Sequence, residues 1–162
     1  MALPEPFTFP NPVNEVSARL VAAGVVVMVA AIIAGQHWVL VPLAYGFVAR
    51  VASGPRFSPL GLLVTKVVTP RLAVEAKLVP GPPKRFAQGI GAALSLSALI
   101  SWTAFGNTTV ALVLVAAIGI AATLESVFAY CIGCKVFALL MRVGVIPAEV
   151  CEACNDLSLR SA

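Results

Sequence analysis

The sequence predicts an all-α, polytopic membrane protein: four transmembrane helices, with an interfacial amphipathic helix between spans 2 and 3. Three observations predict it. The chain is 60% hydrophobic and only 11% charged, with mean hydropathy +0.98, whereas soluble domains carry about 25% charged residues. Its apolar residues gather in four runs separated by turn signals. Its basic residues are unevenly placed. Arg50, Arg56, Lys66, Arg71, Lys77, Lys84 and Arg85 fall in or beside one connection, while the two short turns hold no Lys or Arg. By the positive-inside rule that connection is cytoplasmic, and so are both termini of a four-span chain in the plasma (inner) membrane. The membrane reading accounts for the net charge of +4, so nucleic acid is not expected as a partner; the lipid bilayer is.

Residues 1–14 hold Pro4, Pro6, Pro10 and Pro12 and read as an extended lead. With Glu5 and Glu15 and no basic residue before Arg19, the start is a poor signal-peptide n-region, so the first run is expected to be retained. Span 1 runs from about Val16 to Ala34. Gly35-Gln36-His37 turns the chain, and span 2 covers Trp38 to about Val51, short and containing Pro42, with Arg50 placed to snorkel at its inner end. In the basic connection Ser58-Pro59 reads as a helix N-cap and first helical position. Leu60, Leu63, Val64, Val67 and Val68 then repeat at helical spacing, with Pro70 ending or kinking the helix. Span 3 is about Phe86 to Phe105. Its Ala87, Gly91 and Ser95 recur every four residues, a small-residue face that admits a close neighbour.

The last apolar run, Thr109 to Val143, is about 35 residues, or about 52 Å of helix against a hydrocarbon core of about 30 Å. Counted from Thr109, the membrane ends near Phe128. Beyond it the chain protrudes or breaks and lies along the surface, and Pro147 starts a short helix. The expected division is therefore a four-span membrane domain over residues 1–145 and a short cytoplasmic C-terminal segment over 146–162.

All four cysteines stand in two Cys-x-x-Cys pairs, Cys131/Cys134 and Cys151/Cys154, at this inner end. The gap puts two sulfurs one helical turn apart, close enough to close a disulfide or share a metal. Three chemistries suit the pattern: thiol–disulfide exchange, carriage of sulfane sulfur on a thiolate, and a structural zinc site with all four thiolates as ligands. The plain alternative is four sulfurs packed as apolar groups. A reducing cytoplasm favours cycling thiols or zinc over a permanent disulfide. Lys135 beside Cys134 favours a thiolate there, and Gly133 leaves the sulfurs unshielded.

Glu125 is the one acid inside an apolar run. On an unbroken helix it lies about 120° from Cys131 and about 180° from Cys134, so it is expected to serve neither thiol. A hydrogen bond to Gln88 or a serine of span 3 is the plain role, and a catalytic or conducting role, as on a transport path, the functional one. His37, the only histidine, falls at the outer turn beside Trp38, away from the cysteines. No phosphate loop, paired-carboxylate site or Ser-His-Asp set is visible.

Gly-Pro-Arg-Phe-Ser-Pro (54–59), Pro-Lys-Arg-Phe-Ala-Gln-Gly-Ile-Gly (83–91) and Tyr-Cys-Ile-Gly-Cys-Lys (130–135) together resemble the uncharacterised bacterial integral-membrane family called domain of unknown function 4395. The resemblance covers about Val13 to Val143, and the second pair is similar to the C-terminal extension of actinobacterial members. The family supplies no catalytic residue to carry over. It implies a setting beside thioredoxin-like proteins and rhodanese-type sulfurtransferases, which favours thiol or sulfur handling over zinc. The functional expectation is thus a membrane protein whose Cys131/Cys134 pair lies at the membrane and whose Cys151/Cys154 pair is mobile and meets a soluble partner. A zinc-bearing scaffold and a small transporter are the alternatives.

Overall fold

The computed structural model describes residues 9–155, and these are helical apart from one pair of two-residue strands. Strand β1 (Val13–Asn14) precedes α1 (Glu15–Ile33), and α2 (Leu40–Ser53) follows a 3-10 turn over His37–Val39. The connection holds α3 (Pro59–Leu63), a π-helical turn (Val64–Val68), α4 (Thr69–Arg71) and strand β2 (Leu78–Val79). Then come α5 (Gly81–Thr103), α6 (Thr108–Phe128), α7 (Ile132–Arg142), a 3-10 turn (Ala148–Cys151) and α8 (Glu152–Asn155). Among the described residues three helices, α1, α5 and α6, are long and apolar enough to cross a membrane, the mark of a membrane protein.

The helix at the expected second span is short, as expected, and displaced by two residues. It has 14 residues, about 21 Å, because Trp38 and Val39 are spent in the 3-10 turn and Gly54 ends it at φ 66°. The helices run up and down. α1 packs on α6, α2 on α5, and α5 on both α6 and α7. The two short turns share one end, where the rings of His37 and Trp102 lie 5.9 Å apart. The start of α1, the end of α2, the connection, the start of α5 and the end of α6 share the other.

Small residues set how close these helices come. A side chain at Gly91 of α5 would overlap the Phe47 ring of α2, and one at Gly119 of α6 would come within 2.8 Å of Val29 in α1. The expected small face of α5 is therefore real: Ser95 is fully buried on it, and Ala87 meets α7. Ile32, Leu40, Leu43 and Val115 close the core, while Val27, Val113 and Ile120 project outward from the long helices.

The connection departs from one regular amphipathic helix. Ser58 does cap it, accepting from the Gly61 amide at 3.2 Å, and Pro59 is its first residue. The π turn then adds a residue to the cycle and rotates the face. Val64 is buried and Leu60 packs on the core, but Leu63 and Val67 are exposed. Residues 1–8 of the proline-rich lead lie outside the described residues. The part that follows is held by β1, which pairs antiparallel with β2 (Val13 with Val79, Asn14 with Leu78), and by the Glu15–Lys77 ion pair at 2.9 Å.

The last run breaks where membrane thickness predicts. α6 ends at Phe128, Ala129 adopts φ 55°, and Arg19 of α1 donates to the carbonyls of Ser126 (3.0 and 3.1 Å) and Val127 (3.2 Å). Those carbonyls have no partner within the helix, so a cation satisfies them and the dipole together. α7 then docks on α5, with the Phe86 and Phe137 rings 5.6 Å apart and Gly133 against Ala87. A Cβ at Gly133 would come within 2.6 Å of the Ala87 Cα, and backbone cannot yield there. Gly133→Ala is therefore expected to lower stability by about 1–3 kcal/mol through overpacking, checked by thermal unfolding in detergent.

Candidate functional site

The break between α6 and α7 places the first cysteine pair. Cys131 leaves the extended backbone region as the N-cap of α7, and its Sγ accepts from the Cys134 amide at 3.3 Å. Cys131 and Cys134 are joined as a disulfide with their Cα atoms 5.2 Å apart, and both are half-buried. A cysteine at this position sits where the helix dipole and free first-turn amides favour negative charge.

Behind the pair lies a partly open cavity of about 110 Å³ at the junction of α1, α2, α5, α6 and α7. Arg50, Gln88, Glu125, Cys131 and Gly133 line it among apolar side chains. Lys84 reaches Glu125 from α5 and pairs with it at 2.5 Å, and both groups are largely buried. Arg50 is 5% exposed. Its Nε donates to Gln88 Oε1 at 2.9 Å, its Nη1 to Ser58 Oγ at 3.1 Å, and its guanidinium lies 4.6 Å from the centre of the Phe47 ring. Its Nη2 is buried without a partner. Lys84 and Gln88 stand four residues apart on α5, so one face of that helix serves both charges.

A family model described as a domain of unknown function, DUF4395, matches residues 13–142, most of the chain. The chain belongs to the DUF4395 family. The DUF4395 match runs from β1 to the last residue of α7, so it contains Arg50, Lys84, Gln88, Glu125, Cys131 and Cys134 and stops before Cys151. Comparison with curated proteins and with solved structures returns no match.

Several sequence expectations are corrected by this geometry. Glu125 and Cys131 do share a site, because the helix that would hold them about 120° apart is broken at Ala129. The expected partner of Glu125 was Gln88 or a serine; the partner is Lys84, and Gln88 serves Arg50 instead. Arg50 does not snorkel but turns into the protein. Gly133 is buried against α5 and does not open access to the sulfurs. The Lys135 ammonium lies over the Tyr130 ring at 5.7 Å.

The second pair behaves differently. Cys151 and Cys154 also form a disulfide, with Cα atoms 5.3 Å apart, at the 3-10 turn and short α8 that follow Pro147. Cys151 is buried, and its turn packs beside α5, where a mobile pair was expected. Each pair closes on itself, and among the described residues no group of three or more His, Cys, Asp or Glu side chains comes together for a metal. His37 sits at the far end, half-buried against Trp102.

Arg50 and Lys84 are the site residues that sequence reasoning counted only as topology charges. Their signal was position: Arg50 lies inside span 2, and Lys84 lies one and two turns before Gln88 and Gly91 on the packing face. A buried ion pair that loses one partner strands the other charge. Glu125→Gln and Lys84→Met are each expected to cost about 3–5 kcal/mol, while the double change Lys84→Met with Glu125→Leu recovers most of that loss. Unfolding midpoints of the three variants check it; additive losses would show that the pair is not coupled.

Proposed function

We propose that this chain is a four-span protein of the plasma membrane that exchanges electrons with a soluble protein through Cys131 and Cys134. The observation that supports it is the seat of Cys131 at the N-cap of α7, half-buried and beside a cavity containing Arg50. A thiolate of a thioredoxin-like or rhodanese-type partner attacks the Cys131 Sγ. The Cys131–Cys134 bond breaks and Cys134 leaves as a thiolate. A second partner thiolate then releases Cys131, so two electrons pass to the pair and the partner leaves oxidised. The thiolate of Cys131 is favoured by the α7 N-terminus, which makes it the better leaving and attacking group.

α2 is the short fourth span. With its preceding 3-10 turn it makes about 17 residues, the lower end of the spanning range, and the bilayer thins locally to meet it. The connection and the C-terminal segment then face the cytoplasm, with Leu63, Val67 and Leu72 turned to the inner leaflet.

Two measurements test this reading. Single cysteines at Ala34 and Phe105, introduced after the native four are changed to serine, are expected to be labelled from outside intact cells. One at Val74 is expected to react only after permeabilisation; the reverse pattern inverts the topology. In the native chain Cys134→Ser is expected to trap a soluble partner on Cys131 as a mixed disulfide that reductant releases, and Cys131→Ser to trap far less. Equal absence of adducts in both variants, with the protein folded, defeats the exchange reading.

A further inference from the structure

α7 carries two faces, and among the described residues only one of them is packed inside the protein. Gly133 and Phe137 are buried against α5. Ile132, Val136, Leu139 and Val143 recur at helical spacing on another face and are all exposed, Leu139 by 58% and Val143 by 64%. Along the edge of that stripe stand Lys135 and Arg142, two turns apart on one side of the helix. Both are exposed, and among the described residues neither is in an ion pair. The sequence holds no Asp or Glu between Glu125 and Glu149, so no acid of the same segment offsets these charges.

Depth decides what the stripe meets. From Thr103, the last residue of α5, back to Ala87 is about 24 Å of helix, less than a hydrocarbon layer of about 30 Å. Gly133 packs directly on Ala87, so the first turn of α7 lies within that layer's boundary at this end. The stripe also continues the outward surface of α6, where Val127 and Phe128 are exposed just before the break at Ala129. We propose that α7 is an interfacial helix that binds anionic phospholipid: the stripe takes the acyl chains, and Lys135 and Arg142 take the phosphates. An apolar face beside a purely basic edge suits such a surface, because each side chain meets the matching part of the lipid.

The lipid seat has a consequence for the first cysteine pair. On α7, Cys134 lies about 170° around the helix from the middle of the stripe. Lipid on the stripe therefore does not cover the pair; it fixes the rotation of α7 that turns Cys134 away from the acyl chains. Gly133 and Phe137 lie about 110° from the same stripe, so α5 and the lipid hold the helix from two sides. The seat does not depend on the pair's exchanging electrons.

The test uses the full-length protein in nanodiscs of phosphatidylcholine alone or mixed with phosphatidylglycerol. Amide hydrogen exchange over residues 135–143 is expected to slow by about tenfold or more in the anionic discs, since each basic residue near such a surface adds about fivefold. High salt is expected to reverse the slowing by screening. Lys135→Gln with Arg142→Gln, both exposed, is expected to abolish the lipid dependence while the unfolding midpoint in phosphatidylcholine discs stays unchanged. In intact cells, benzoylphenylalanine in place of Leu139 is expected to cross-link to lipid on illumination. Equal exchange of the native protein in both discs, which needs no variant to fold, overturns the anionic-lipid site. A slowing that survives the double change overturns the assignment to Lys135 and Arg142. A discrete protein adduct at Leu139, from a second copy or a soluble partner, or no lipid adduct, overturns the lipid seat.

Discussion

The close approach that small residues on α5 permit is the constraint from which the rest of this fold follows. Lipid tails are as apolar as leucine, so helices in a bilayer gain little from hydrophobic burial against one another and associate through packing and polar contacts. α5 is the helix on which α2, α6 and α7 converge. Gly91 admits the Phe47 ring, and Ala87 lets the backbone of α7 at Gly133 settle onto it. Because α7 lies on α5 and not in line with α6, Cys131 is carried back over the end of the bundle. The position of the cysteine pair is thus a consequence of two small side chains.

The same face of α5 carries Lys84 and Gln88, and these connect packing to electrostatics. Ionisable groups at the edge of an apolar bundle must be compensated inside it. Lys84 meets Glu125 of α6, and Gln88 meets Arg50 of α2, so α5 is held to both neighbours by polar contacts. Basic side chains serve the same end in another way. Arg19 satisfies the last carbonyls of α6, and Arg85 donates to the Val51 carbonyl near the end of α2 at 3.0 Å. Charges that set topology in the sequence are, in the fold, helix caps and buried partners. Among the described residues the one buried side-chain polar atom left without a partner is Arg50 Nη2.

Much of the architecture was legible in one dimension. Hydropathy marked α1, α5 and α6, and Gly35 and Gly106 marked the turns. Length alone put the membrane boundary of the final run near Phe128, because an apolar stretch of about 35 residues exceeds what a bilayer accommodates, but whether the helix protrudes or breaks there was left open. Ser58-Pro59 and Pro147 marked helix starts, as local capping chemistry does. The β1–β2 pairing was not legible, since Val13-Asn14 and Leu78-Val79 are too short to show a period and are joined only when the starts of α1 and α5 come to the same end of the bundle. The π turn was likewise hidden, because a helical wheel assumes one constant rotation per residue.

By itself the sequence determined the helical class, the apolar spans, the unequal placement of basic residues and the pairing of cysteines, all properties of composition and near-neighbour spacing. Only the tertiary structure decided which polar groups meet. A wheel drawn through residues 125–134 separates Glu125 from Cys131, and a single left-handed residue at Ala129 brings them to one cavity. Arg50, Lys84 and Gln88 come from two helices at distant points in the chain, and nothing in their spacing announces contact. Charge pairing between helices depends on how close and at what rotation the backbones pack, and that is settled by side-chain volume at Ala87, Gly91 and Gly133, not by the charged residues themselves.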